Sequence, residues 1–156
     1  MSLAALAIQA EAWLQEELGA QQAVRAQLEA LEAAARKGSG DELEARGREL
    51  GTLLGRAGAR DLRRQAMLQK LGSAMGLPAG EITLTRLAAH LSAGGGDTQR
   101  LDILRNELRS TVEAVLGLSR RLASLANYHR GVLEELCQVL AAGAPGDRGC
   151  LLDARG

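Results

Sequence analysis

From Leu101 onward, apolar residues recur in two interleaved series of seven-residue steps, and this spacing restricts the chain more than any other feature. One series runs Leu101, Leu108, Val115, Leu122, His129, Leu136; the other runs Leu104, Thr111, Leu118, Leu125, Val132, Val139. Ten of these twelve positions are apolar, which is the signature of a helix with one continuous seam. The pattern predicts a coiled-coil-like helix over about 97–141, ~67 Å long at the usual rise per residue. Asp97 is suited to cap its start.

The same spacing appears upstream. Leu3, Ala7, Ala10, Leu14, Val24, Leu28, Leu31 and Ala35 fall on one stripe, interrupted by Glu17 and Gln21 and widened by Trp13 and Leu18. This predicts a helix over about 3–36, ended by Arg36-Lys37-Gly38-Ser39-Gly40. There the basic pair suits the helix dipole, the glycines permit a reversal, and Ser39 with Glu42 can form a capping box. Leu43, Leu50, Leu54, Ala57, Leu68, Leu71 and Met75 make a second stripe, predicting one helix over 41–75. Gly47, Asp61 and Arg64 are its weak points, and Gly47, Gly51, Gly55 and Gly58 each cost ~1 kcal/mol against Ala. Two long helices joined by so short a polar turn should pack antiparallel.

Gly76-Leu77-Pro78-Ala79-Gly80 breaks the pattern, and a short helix over 83–91 follows, with Thr83 or Thr85 as cap and Ile82, Leu84, Leu87, Ala88 and Leu91 as its apolar residues. Ser92 to Gly96 reads as a joint, and 142–156, with Pro145 and several glycines, as a flexible tail. Composition agrees. Apolar residues are nearly all Leu, Ala, Val and Met, the aromatics are Trp13 and Tyr128, and there is no Phe. The expected fold is all-α: an elongated antiparallel helical hairpin or coiled-coil bundle of three long helices and one short one, forming a single domain over 1–141.

Charge excludes some functions. Lys+Arg and Asp+Glu both number 19, so a strong grip on nucleic acid is not expected. The balance is uneven: residues 1–35 hold five Glu against Arg25, while 36–76 hold nine basic and five acidic residues. Two helices lying side by side would carry such a split, as would two ordinary solvated faces. Met1-Ser2-Leu3-Ala4-Ala5-Leu6 has no basic stretch and leads into an acidic helix, so neither a signal peptide nor stable membrane insertion is expected. A cytoplasmic location follows as the expectation.

Catalytic constellations are missing. Cys137 and Cys150 have no CxxC or metal-ligand spacing and read as reduced bystanders. His90 and His129 lack a second ligand, and no Glu-x-x-His pair is present. Glu16-Glu17 and Glu134-Glu135 are sequence neighbours that point to different faces of a helix. Gly94-Gly95-Gly96 lacks the strand and lysine of a phosphate loop. A non-enzymatic protein with no cofactor and no metal is expected.

What remains is a surface. Val132, Leu133, Leu136, Val139 and Leu140 form a stripe wider than the seam, because Leu133 and Leu140 flank it. Leaving such side chains wet forfeits ~1.5–3 kcal/mol each, so something should cover them. The first hairpin or a second copy of the chain could do so, as could an amphipathic helix from another protein.

The order of elements resembles the FlgN family of flagellar type III export chaperones. Leu71-Gly72 through Gly76-Leu77-Pro78, then Ile82-Thr83-Leu84 and Leu87, is similar to the family's linker. Asn127-Tyr128-His129-Arg130-Gly131, with Leu133 after it, is similar to the Asn-rich segment before its binding helix, with Arg130 where some members have a second Asn. The resemblance implies a chaperone that binds helical C-terminal segments of hook-associated junction proteins through Val132, Leu133, Leu136, Val139 and Leu140. It would prevent their premature assembly and pass them to the export apparatus. Cys150-Leu151-Leu152-Asp153-Ala154-Arg155-Gly156 is similar to the family's tail. Leu151 and Leu152 would then be the contact with the export gate, Leu152 standing where the family carries a tyrosine. The alternative is a self-associating coiled-coil scaffold with no secretion client.

Overall fold

A computed structural model describes residues 3–94 and 98–143. The described chain is all-α: α1 (Leu3–Lys37), α2 (Gly40–Gly55), α3 (Ala57–Met75), a 3-10 turn (Ala79–Glu81), α4 (Leu84–Ala93) and α5 (Gln99–Gly143). Contacts divide the chain into two compact units, Met1–Leu118 and Ser119–Gly156. The boundary falls inside α5.

In the first unit, the ends of helices follow from local chemistry. Gly38 adopts φ +72° at the end of α1, and Ser39 N–H then donates to Ala34 O at 3.2 Å. Ser39 caps α2 by accepting from Glu42 N–H at 3.4 Å. The end of α3 repeats the device: Gly76 has φ +67°, and Leu77 N–H reaches back to Gly72 O at 2.9 Å. Both are left-handed glycine terminations that satisfy carbonyls a helix leaves unpaired. Thr83, rather than Thr85, caps α4, its hydroxyl accepting from Arg86 N–H at 3.1 Å. Asp97 and the glycines at 95 and 96 lie outside the described residues.

The helix expected over 41–75 is divided. Arg56 closes α2 and opens α3 with φ −82° and ψ −9°, and its N–H turns to Leu53 O at 3.3 Å. The break follows Gly55 and precedes Gly58, where helix propensity is poorest and no side chain packs to enforce continuity. α2 has no buried residue at all.

The core lies where four helices converge. Leu6, Ala10, Leu14 and Leu18 of α1 pack with Leu71 of α3, Leu87 and Leu91 of α4, and Leu101 and Leu104 of α5; Ile82 joins them from the α3–α4 connection. Trp13, Met67, Leu68 and Leu77 close its edges. Leu6, Leu14, Leu71 and Leu87 are fully buried, each contributing ~1.5–3 kcal/mol relative to exposure. The face of α1 differs in detail from the predicted stripe. Leu6 and Ala34 are buried, whereas Ala7, Leu31 and Ala35 are only partly so.

Farther along α1, Val24 and Leu28 are buried, and Ala23, Ala26 and Gln27 face Glu49, Thr52 and Leu53 of α2. Glu17 and Glu16 instead meet α3, pairing with Arg60 at 3.3 Å and Arg63 at 2.8 Å. The later part of α1 thus lies against α2 and its earlier part against α3. These two pairs realise the charge split between 1–35 and 36–76.

Gly72 is the tightest point. A Cβ built there would sit 2.6 Å from Leu77 O and 3.3 Å from Ala79 N, both backbone atoms. Only a residue without a side chain lets the Leu77–Ala79 turn fold back on α3. Gly51, by contrast, has nothing within 4 Å of its added Cβ. Gly72→Ala should destabilise the protein by ~1–3 kcal/mol through overpacking, and Gly51→Ala should stabilise it by up to ~1 kcal/mol. Urea unfolding followed by circular dichroism reads both. Equal stability of the Gly72→Ala protein would mean that the turn yields freely.

Candidate partner-binding surface

Within 119–143, α5 carries the stripe singled out above. Its residues recur at three- and four-residue intervals, which a helix gathers on one side. Val132 is half-buried. Leu133, Leu136, Val139 and Leu140 are 61%, 52%, 67% and 70% exposed. The seam behaves differently along its length. Leu101, Leu104, Thr111 and Leu118 are buried, Leu122 and Leu125 are half-buried, and His129 and Leu136 are open.

Other exposed apolar side chains, such as Ile8, Leu54, Leu62 and Ile103, come singly, as they do on most protein surfaces. The stripe is the place where such residues follow one another along one helix. Sequence reasoning identified its aliphatic members but did not include Tyr128, which is 68% exposed. Its ring meets His129 edge-on, with centroids 5.9 Å apart at 68°. The signal available was its position one residue before the seam. Arg130 Nη2 donates to Asn127 Oδ1 at 3.3 Å, so these polar residues engage each other locally. Cys137 is exposed and is a free thiol.

Leu151 and Leu152, the expected gate contacts, lie outside the described residues, as does Cys150.

The first unit holds a cleft of about 390 Å³ beside Trp13. It is lined by Glu17, Gln21, Arg60, Asp61 and Arg64, and their charges are spent on one another. Arg60 Nε donates to Glu17 at 3.3 Å, Gln21 to Glu17 at 2.8 Å, and Arg64 Nη2 to Asp61 at 2.6 Å. Both carboxylates are thus held by cations or amides. Among the described residues no group of three or more His, Cys, Asp or Glu could hold a metal ion. No described helix is long and apolar enough to cross a membrane.

No protein-family model, curated protein or solved structure matches the chain.

The exposure of the stripe generates a stability prediction. Replacing Leu133, Leu136 and Leu140 together by Ala removes side chains that fill no cavity, so each change should alter stability by no more than ~0.5 kcal/mol. Thermal melts followed by far-ultraviolet circular dichroism at ~1 µM should therefore give a nearly unchanged melting temperature and helical content. A large drop that does not vary with protein concentration would place these leucines in a core.

Proposed function

We propose that the chain is a non-enzymatic helical export chaperone of the FlgN type, with α1 and the α2–α3 pair as an antiparallel hairpin and the stripe on α5 as its client surface. The observation that carries this reading is the exposure of Leu133, Leu136, Val139 and Leu140 along one side of a formed helix. An amphipathic helix laid along them would bury its own apolar face and theirs at once. The resemblance of the linker around Leu71–Leu87 and of the segment Asn127–Leu133 to the FlgN family supplies the client class. That class is the helical C-terminal segments of hook-associated junction proteins.

In this reading the chaperone works by occupancy. Covering the client's helical segment removes the surface through which it would polymerise, and release at the export gate restores it. No nucleotide, metal or other cofactor takes part, and the cytoplasm is the proposed location. Leu151 and Leu152 are the proposed gate contact.

The test is binding of C-terminal peptides from junction proteins to the full chain, measured by calorimetry. The Leu133→Ala, Leu136→Ala, Leu140→Ala protein should bind at least ~tenfold more weakly while staying folded, since each Leu truncated at a buried contact costs ~2–5 kcal/mol and a tenfold loss needs only ~1.4 kcal/mol. Undiminished binding by the folded triple variant would move the client site elsewhere. Failure of every such peptide to bind the unaltered chain would remove the chaperone reading.

A further inference from the structure

Residues 119–143 carry the features of a self-complementary surface. We infer that two copies of this chain pair antiparallel along this part of α5, each covering the other's exposed stripe.

Two observations point to a second copy in that orientation. The first is the seam itself. Set antiparallel with its centre between Arg130 and Gly131, Leu122 of one copy meets Val139 of the other, Leu125 meets Leu136, and His129 meets Val132. Each of these six seam residues is half-buried or open in the single chain; the leucines and Val139 thereby gain an aliphatic neighbour, and each His129 is set against a valine.

The second is the size of the flanking side chains. In antiparallel pairing, residues on the same flank of the two seams face each other. Leu133 then lies beside Ala126 of the second copy, and Leu140 beside Ser119. Each large exposed leucine is matched by a small residue, so the extra width of the stripe is accommodated rather than crowded. Parallel pairing would set Leu140 beside Glu135 and Leu133 beside Tyr128 instead, burying the apolar flank against a carboxylate.

The pairing uses the surface assigned above to a client but does not depend on a client existing. It gives that surface a resting state, in which a client must displace the second copy to bind. The apparent client affinity then falls as chaperone concentration rises.

Sedimentation equilibrium of the full chain from ~1 to ~100 µM should show a reversible monomer–dimer equilibrium. Leu136→Glu should weaken association at least ~tenfold while circular dichroism shows an unchanged helical content. Orientation is read by disulfide cross-linking in a background carrying Cys137→Ser and Cys150→Ser. Neither the Leu125→Cys nor the Leu136→Cys protein should cross-link efficiently alone, and a mixture of the two should. A chain monomeric across the whole range overturns the proposal, as does a dimer indifferent to Leu136→Glu, or each cysteine variant cross-linking to itself. A monomer that binds junction-protein peptides leaves the client as the stripe's occupant and sinks self-pairing alone. A dimer that binds none of them keeps self-pairing and sinks the client reading.

Discussion

The burial of leucine without help from phenylalanine governs how this chain folds. Trp13 is the only aromatic near the core, and it sits at the edge. A leucine side chain buries less apolar area than a large ring. Here Leu6, Leu14, Leu71 and Leu87 are fully buried where α1, α3, α4 and α5 all reach the same place. That convergence requires the chain to double back immediately after α3. The reversal is made by Gly76 in the left-handed region and by Gly72, whose missing side chain admits the Leu77–Ala79 turn. The short helix α4 is amphipathic and well capped at Thr83, yet far too short to be stable alone. It persists because Leu87 and Leu91 enter the shared core.

Away from that core the first unit is held more loosely. α2 contributes no buried residue, and its glycines lack packing that would justify them. Exposed pairs within one helix, such as Arg25–Glu29 and Arg48–Glu44, each contribute only ~0.3–0.5 kcal/mol. The Glu17–Arg60 pair is different in kind, with side chains only 19% and 14% exposed. A pair this sheltered gains little net stability after desolvation, but removing one partner strands the other. Its consequence is register: α3 cannot slide along α1 without parting it. The sheltered pair and the leucine core thus fix the part of the unit where α1 meets α3, while the α2 end is the part expected to open first under hydrogen exchange.

The helical character of the chain was legible because it depends on spacing and on composition, both of which a sequence displays. Termini were legible where one residue type dominates the physics, as at Gly38, Ser39 and Gly76. The exact face of α1 was not. Leu6 and Ala34 are buried where the stripe marked Ala7 and Ala35, because what covers each end of α1 is decided by the rest of the fold and not by spacing within the helix. Alanine is too small to mark which side is inside. The division at Arg56 was hidden for a related reason: the glycines warned of weakness without saying which would give way. The close approach at Gly72 depends on a backbone returning from Leu77 to Ala79, which no local pattern encodes. For the candidate surface, spacing identified Val132, Leu133, Leu136, Val139 and Leu140 as one stripe. Whether they stand open or covered is a property of the folded chain, and only the structure supplied it.

The chemistry of the stripe limits how it could hold any partner. It is aliphatic, with Tyr128 as the one exposed aromatic side chain beside it. Interfaces that concentrate their energy in a few residues use Trp, Tyr and Arg seated in pockets. A row of Leu and Val on a single helix offers ridges rather than pockets, so the energy of contact is spread over the length of the partner helix. Such a grip depends on apolar area and tolerates variation in the partner's sequence, provided that apolar residues recur at helical spacing. The stripe also stands on a helix that is already formed, so ordering costs on association fall mainly on the partner. A preformed, distributed and aliphatic surface suits exchange between occupants of similar pattern better than permanent attachment to one, because no single pocket commits it to a particular side chain.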